Sequence, residues 1–116
     1  TGHRRDVAAL LAASDVFALP SFEEPFGLAY AEAMAMQRPV VGLTNGGTPE
    51  VVDHGLNGLL AAPGDIAALA GHLLTLLRDP AQRARFGAHG RQQVMARFTP
   101  ARMASDFDAL YARLLA

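Results

Sequence analysis

Two carboxylates with seven residues between them frame the stretch best suited to chemistry. Glu24 and Glu32 enclose Pro25-Phe26-Gly27-Leu28-Ala29-Tyr30-Ala31, and Glu23 and Glu50 are the chain's other glutamates. An ionised carboxylate only accepts hydrogen bonds, so a pair of them suits neutral polyols, whose hydroxyls donate. Between the two acids a helix opens at Phe26-Gly27-Leu28. A helix start leaves backbone N–H groups unpaired at the positive end of its dipole, and such an end accepts phosphate. The spacing therefore predicts a diphosphate over the amides of Phe26, Gly27 and Leu28, with sugars held by acids on either side. Glu32 lies five residues past Gly27, about 7.5 Å along a helix at 1.5 Å per residue, a reasonable span from a phosphate to an attached sugar ring. Gly46-Gly47-Thr48 is the candidate wall of the same site, because its glycines permit close backbone approach.

These residues must be held by regular elements. Val16-Phe17-Ala18-Leu19, closed by Pro20, predicts a short buried strand. A helix over about 26–37 follows, ended by Pro39. Residues 39–43 read as a second buried strand. Thr48-Pro49-Glu50 reads as an N-cap, a proline at the first helical position and a first-turn acid, opening a short helix that ends by Gly55. Asn57-Gly58 is a turn, and residues 59–62 are a third strand. Upstream, Asp6 is expected to cap a helix with Val7, Leu10 and Leu11 on one face. Downstream the pattern is helical to the end. Ile66, Leu69, Ala70, Leu73, Leu74 and Leu77 form one stripe. Asp79-Pro80 opens a helix with Phe86, Gly90, Val94 and Phe98 in one row, weakened by Gly87 and Gly90 at about 1 kcal/mol each. Thr99-Pro100 opens the last helix, with Met103, Phe107, Leu110, Tyr111 and Leu114 expected inward.

Strands alternating with helices imply an α/β fold with right-handed crossovers. The expected architecture is a partial Rossmann-like parallel sheet of about three strands, with helices around it and a helical carboxyl-terminal tail. In open α/β sheets ligands bind beyond the carboxyl ends of the strands, which places the acidic stretch and the double glycine on one rim.

Bulk properties remove other classes. The 116 residues are 51% apolar, ample for a core, and the net charge of −1 argues against a nucleic-acid binder. Residues 1–76 hold three arginines and eight acids, while residues 77–116 hold seven arginines and three acids, which reads as solvated helix faces. Without cysteine there is no disulfide or thiolate metal site, and His3, His54, His72 and His89 show no metal-like spacing. Arg38 is expected at the surface, and Met34 and Met36 in the core or on a helix surface. No dinucleotide, Walker, nucleophile-elbow or zincin motif is present. A carboxylate pair also suits a glycosidase, but both acids here belong to one helix entry with a phosphate site between them. No apolar run approaches the roughly 18 residues of a membrane span, and no signal peptide is visible, so a cytoplasmic location is expected. The Thr-Gly-His opening suggests an excerpt of something longer.

Glu24-Pro25-Phe26-Gly27-Leu28 with Glu32-Ala33-Met34-Ala35 resembles the E-x7-E signature of family-4 (group 1) retaining glycosyltransferases, which have a two-domain GT-B fold. Asp15 to Ser21, Pro39-Val40-Val41, Gly46 to Val52, Asn57 to Leu60 and Pro63-Gly64-Asp65 match the flanking segments in order. The resemblance covers essentially the whole chain. It implies that residues 1–116 are the second half of a carboxyl-terminal domain that binds a nucleotide-diphosphate sugar. It implies a catalytic role for Glu24 near the transferred sugar. Phe26, Gly27 and Leu28 would face sugar hydroxyls and diphosphate, and Glu32 the ribose. No cofactor and no obligatory metal are implied. The partners implied are the nucleotide-diphosphate sugar and an amino-terminal acceptor domain outside this chain, with peripheral membrane contact of the parent as a further option. Phosphate-gripping arginine and lysine residues of the first half-domain are not here, so the piece by itself is expected to be inactive.

Two alternatives stay open. A half-domain with an open strand edge and apolar surface can act as a self-associating module. A sugar phosphorylase would use a related site with phosphate as acceptor.

Overall fold

The computed structural model describes residues 1–116. The elements run α1 (Val7–Ala13), β1 (Phe17–Leu19), α2 (Leu28–Ala35), β2 (Val40–Leu43), α3 (Thr48–Val51), β3 (Gly58–Ala61), α4 (Ile66–Arg78), α5 (Pro80–Arg97) and α6 (Pro100–Leu115). The three strands form one parallel sheet in the order β1-β2-β3, with Phe17 beside Val40 and Val40 beside Gly58. The expected α/β architecture is thus present. Each connection between strands is a crossover that carries a helix, the usual link between parallel strands.

The pleat sends alternate residues to opposite faces. Val40 and Leu60 enter a core with Tyr30, Met34, Val51, Val52 and Val94. Val41 and Leu59 enter another with Leu76 and Phe86. Helix α5 serves both faces, through Val94 and Phe86 respectively. Its glycines are a packing device: a Cβ on Gly87 would overlap the Gln37 carbonyl, and one on Gly90 would stand 2.9 Å from Met34 Cγ. Helix-interior glycine costs about 1 kcal/mol. Here that cost allows α5 to lie directly on the end of α2.

A half-buried polar network ties α5 to the turn before β3. Asn57 Oδ1 accepts from Asp53 N–H at 2.9 Å, Asn57 Nδ2 donates to Gln93 Oε1, and Gln93 Nε2 donates to Asp53 Oδ2 at 2.8 Å. On the outer side of β3, His54 Nδ1 accepts from Leu60 N–H at 2.9 Å, and His72 Nε2 meets Leu60 O at 3.1 Å. Gly55 N–H donates to Gly58 O at 2.8 Å. Both histidines are therefore structural.

Several local expectations are corrected. Asp6 makes no side-chain cap; its carboxylate takes a bidentate pair from Arg4, with Nε to Oδ1 at 2.8 Å. Helix α2 begins at Leu28, two residues late, because Gly27 holds φ at +100°. Gly47, and not Thr48, occupies the N-cap position of α3. Arg38 is half-buried: its Nη1 donates to Ser14 O at 2.9 Å and its Nε to Met36 O at 3.1 Å, joining the ends of α1 and α2. In α4 the buried residue is Leu76, with Leu69 and Leu73 partly covered, while Ile66, Leu74 and Leu77 are exposed. Helix α6 buries nothing: Met103, Phe107, Leu110, Tyr111 and Leu114 all stay exposed, because nothing in the chain covers that stripe. No helix is long and apolar enough to cross a membrane.

Candidate functional site

The loop from Pro20 to Gly27 joins β1 to α2 at the carboxyl end of the sheet. Glu23 adopts φ of +58°, a left-handed conformation that side chains other than glycine, asparagine and aspartate seldom take. Its side chain is exposed, whereas Glu24 is half-buried. Glu24 Oε1 accepts from Gly27 N–H at 3.1 Å. The Gly27 amide is therefore held by a side chain instead of lying open, which revises the expectation for that group. The carboxylate is drawn there by the positive helix end. The N–H groups of Phe26, Leu28 and Ala29 have no acceptor within the chain. Phe26 and Leu28 expose their side chains, and Phe26 stands edge-on to Phe98 with centroids 5.6 Å apart. Glu32 is exposed one helical turn beyond Leu28, on the same face of α2. It borders a cleft of about 300 Å³ whose other walls are Val7, Ala8, Leu11, Ala35 and Met36. A larger apolar groove of about 520 Å³ runs from Phe26 and Leu28 past Phe98 to Met103 and Phe107.

The double glycine meets this loop backbone to backbone. Gly47 N–H donates to Glu24 O at 2.7 Å. A Cβ on Gly47 would overlap Pro25 O and lie 2.7 Å from Phe26 Cα; one on Gly46 would overlap Glu24 O. Asn45 completes the seam: with its amide oriented to satisfy both ends, it donates to Ser21 O and accepts from Glu23 N–H, each at 3.2 Å. Gly46 stays exposed on the rim, while Gly47 is buried under the Glu24 loop. Thr48 is fully buried, so it lies beneath the site and is not part of an open wall. Glu50 is exposed, and its carbonyl accepts from Arg97 Nη2 at 3.3 Å.

Tyr30, which the sequence reading passed over, lies under the helix entry. It is fully buried, its hydroxyl donates to Leu19 O at the end of β1, and its ring stands edge-on to Phe17 at 5.9 Å. Burial pushes the phenol above its ordinary value; the neighbouring Thr48 hydroxyl opposes this and the Glu24 charge adds to it. The Thr48 hydroxyl makes no regular hydrogen bond. One available signal was a lone tyrosine in an alanine-rich helix, because a buried phenol needs a polar partner. Nowhere do three or more His, Asp or Glu side chains gather as metal ligands would.

Comparison with known proteins fits this geometry. The family model for Glycosyl transferases group 1 matches residues 1–79. The chain is 37% identical over 110 residues to the N-acetyl-alpha-D-glucosaminyl L-malate synthase of Bacillus anthracis, covering 95% of this chain and 29% of that protein. It superimposes on Anabaena HepE solved with UDP-glucose with a TM-score of 0.89 at 32% identity, covering 97% of this chain and 31% of that one. Against a solved carboxyl-terminal domain of a group 1 family protein from Francisella tularensis the TM-score is 0.77 at 26% identity, over 86% of this chain and 51% of that domain. The chain spans less than a third of the length of the curated relatives it matches. With more than half of its residues matched to the family model, and its parallel α/β sheet superimposing on solved members, this chain belongs to the group 1 glycosyl transferases, with the Rossmann-like fold of the GT-B architecture.

Proposed function

We propose that the chain forms the second half of the nucleotide-sugar-binding domain of a retaining glycosyltransferase, and that it holds the donor at the start of α2. One observation carries this reading. The Leu28 and Ala29 amides are left without acceptors at a helix start, between a half-buried Glu24 and an exposed Glu32. The diphosphate sits over those open amides. Negative charge grows on it as the sugar leaves, and preorganised N–H groups at the positive helix end stabilise that charge. Glu24 has one oxygen engaged by Gly27 and the other free of protein donors, so the free oxygen accepts from a hydroxyl of the transferred sugar. Glu32, at the mouth of the α1–α2 cleft, accepts from the ribose hydroxyls. Gly46 forms the near wall, and the acceptor comes from a domain outside this chain. On this reading the chain alone does not transfer sugar.

The test uses the full-length protein and a panel of nucleoside-diphosphate sugars. Loss of a charge-assisted hydrogen bond removes about 1.5–3 kcal/mol, or roughly 10- to 100-fold in an equilibrium. Glu32→Ala is expected to weaken UDP or GDP binding on that scale by calorimetry. Glu24→Ala is expected to lower turnover while binding stays within about twofold. Unchanged kinetics in both variants removes the assignment.

A further inference from the structure

We propose that Tyr30 is a positioning residue for the transfer step, a strut that sets where the Glu24 loop stands relative to the amides of α2. The inference rests on the donor-site reading above. Tyr30 belongs to α2, two residues beyond Leu28, yet its hydroxyl donates to Leu19 O, the last residue of β1. That single bond spans the loop from Pro20 to Gly27 and joins its two ends. The loop's far end and the neighbouring strand β2 are shaped to accept the ring. A Cβ on Gly27 would stand 2.8 Å from Tyr30 Cδ2, and a Cβ on Gly42 would overlap the hydroxyl and stand 2.8 Å from Cζ. Phe17 closes the remaining side of the ring at 5.9 Å. Gly42 lies opposite Leu19 in the sheet register, so strand β2 is also hollowed to admit this phenol. Gly27, whose N–H donates to Glu24 Oε1 at 3.1 Å, is the residue packed on the ring, so the carboxylate and the strut meet at one residue.

A residue whose only task is to fill a core needs neither a hydroxyl nor two glycines facing it. The hydroxyl fixes the height of Leu19 against Gly27. The loop between them, Glu24 included, is anchored at those two points and at the seam with Asn45 and Gly47. Glu32, by contrast, lies on the exposed face of α2, away from the strut. Removing the hydroxyl should therefore disturb the transferred-sugar end of the site and spare the nucleotide end.

The experiment compares Tyr30→Phe, Gly42→Ala, their combination and Glu24→Ala with wild type in the full-length protein. Turnover is read with the sugar donor that the panel identifies, and affinity is read with UDP or GDP alone. Misplacing a catalytic group by about 1 Å can cost on the order of 100-fold. Tyr30→Phe retains the ring, so a fall in kcat of about tenfold is expected, with nucleotide Kd within about twofold. Gly42→Ala should show the same split. The double variant should lose less than the product of the single losses, because both act on one contact. If Tyr30→Phe lowers thermal stability but leaves kcat unchanged, or weakens nucleotide binding in parallel with kcat, the proposal is overturned. Fully multiplicative losses in the double variant also overturn it. If Glu24→Ala is silent, the donor-site reading falls and takes this inference with it. If Glu24→Ala lowers kcat and Tyr30→Phe does not, only this inference falls.

Discussion

Replacing Gly47 by alanine tests the seam between the two loops of the site. Gly47 has φ −80° and ψ −5°, a conformation open to alanine, so the substitution carries no dihedral penalty. The whole effect is steric. The new Cβ would lie 2.7 Å from Phe26 Cα and overlap Pro25 O, whereas ordinary contact begins at 3.4 Å. Both obstacles are backbone atoms, so no side-chain rotation relieves them. The loops must separate by about 1 Å, an overpacking cost typically of 1–3 kcal/mol. That movement also stretches the 2.7 Å bond from Gly47 N–H to Glu24 O beyond useful range. Its loss adds about 0.5–1.5 kcal/mol. Together these give a destabilisation of about 2–4 kcal/mol, or a fall in Tm of the order of 10 °C for a domain near this size. The assay is thermal unfolding by circular dichroism, with hydrogen exchange at the Gly47 amide as the local reporter. A variant that melts within about 1 °C of wild type and keeps that amide protected would refute the backbone-to-backbone contact.

Two further predictions follow from the same kind of reasoning. Gly71 and Gly87 are both helical glycines, but a Cβ meets nothing within 4 Å at Gly71 and overlaps the Gln37 carbonyl at Gly87. Gly71→Ala should raise stability by about 0.5–1 kcal/mol, while Gly87→Ala should lower it by about 1–3 kcal/mol, both read from denaturant midpoints. The buried Tyr30 phenol, held above its ordinary value, gives the alkaline limb its sign. The folded chain holds this proton more tightly than the unfolded chain. The contribution is therefore full below the unfolded value near 10 and is lost as pH rises through the folded one. Tyr30→Phe should flatten that decline between about pH 9 and 11; an unchanged slope in urea midpoints would assign the decline to other groups.

The elements were legible where local chemistry and tertiary packing agree. Short apolar runs bounded by Pro20 and Pro39 became β1 and β2, and Thr99 caps α6 through its side chain as its position suggests. Thr48 misled because a threonine before Pro49 is a good N-cap by itself. Close approach of the Glu24 loop gives that place to Gly47 and pushes Thr48 inside. In α4 the apolar residues exceed one face, so periodicity alone could not choose Leu76 over Leu77. In α6 the spacing identified an apolar stripe but not what covers it. At the site, the spacing of Glu24 and Glu32 could be read directly. The bond from Gly27 N–H to Glu24 and the Tyr30 contact with Leu19 depend on how a loop folds back, and no periodic pattern encodes that.

The treatment of β3 makes the sheet a one-sided template. On its outward side the Gly58 carbonyl and both main-chain groups of Leu60 are already taken by Gly55, His54 and His72, so a newcomer strand finds few partners there. All four of its residues are buried, although it is a terminal strand, whereas β1 at the opposite margin remains only partly covered. Lateral extension is thereby restricted to the β1 margin. Any added strand would lie next to the segment that leads into Glu24, so neighbours joining the sheet are directed toward the site and not away from it.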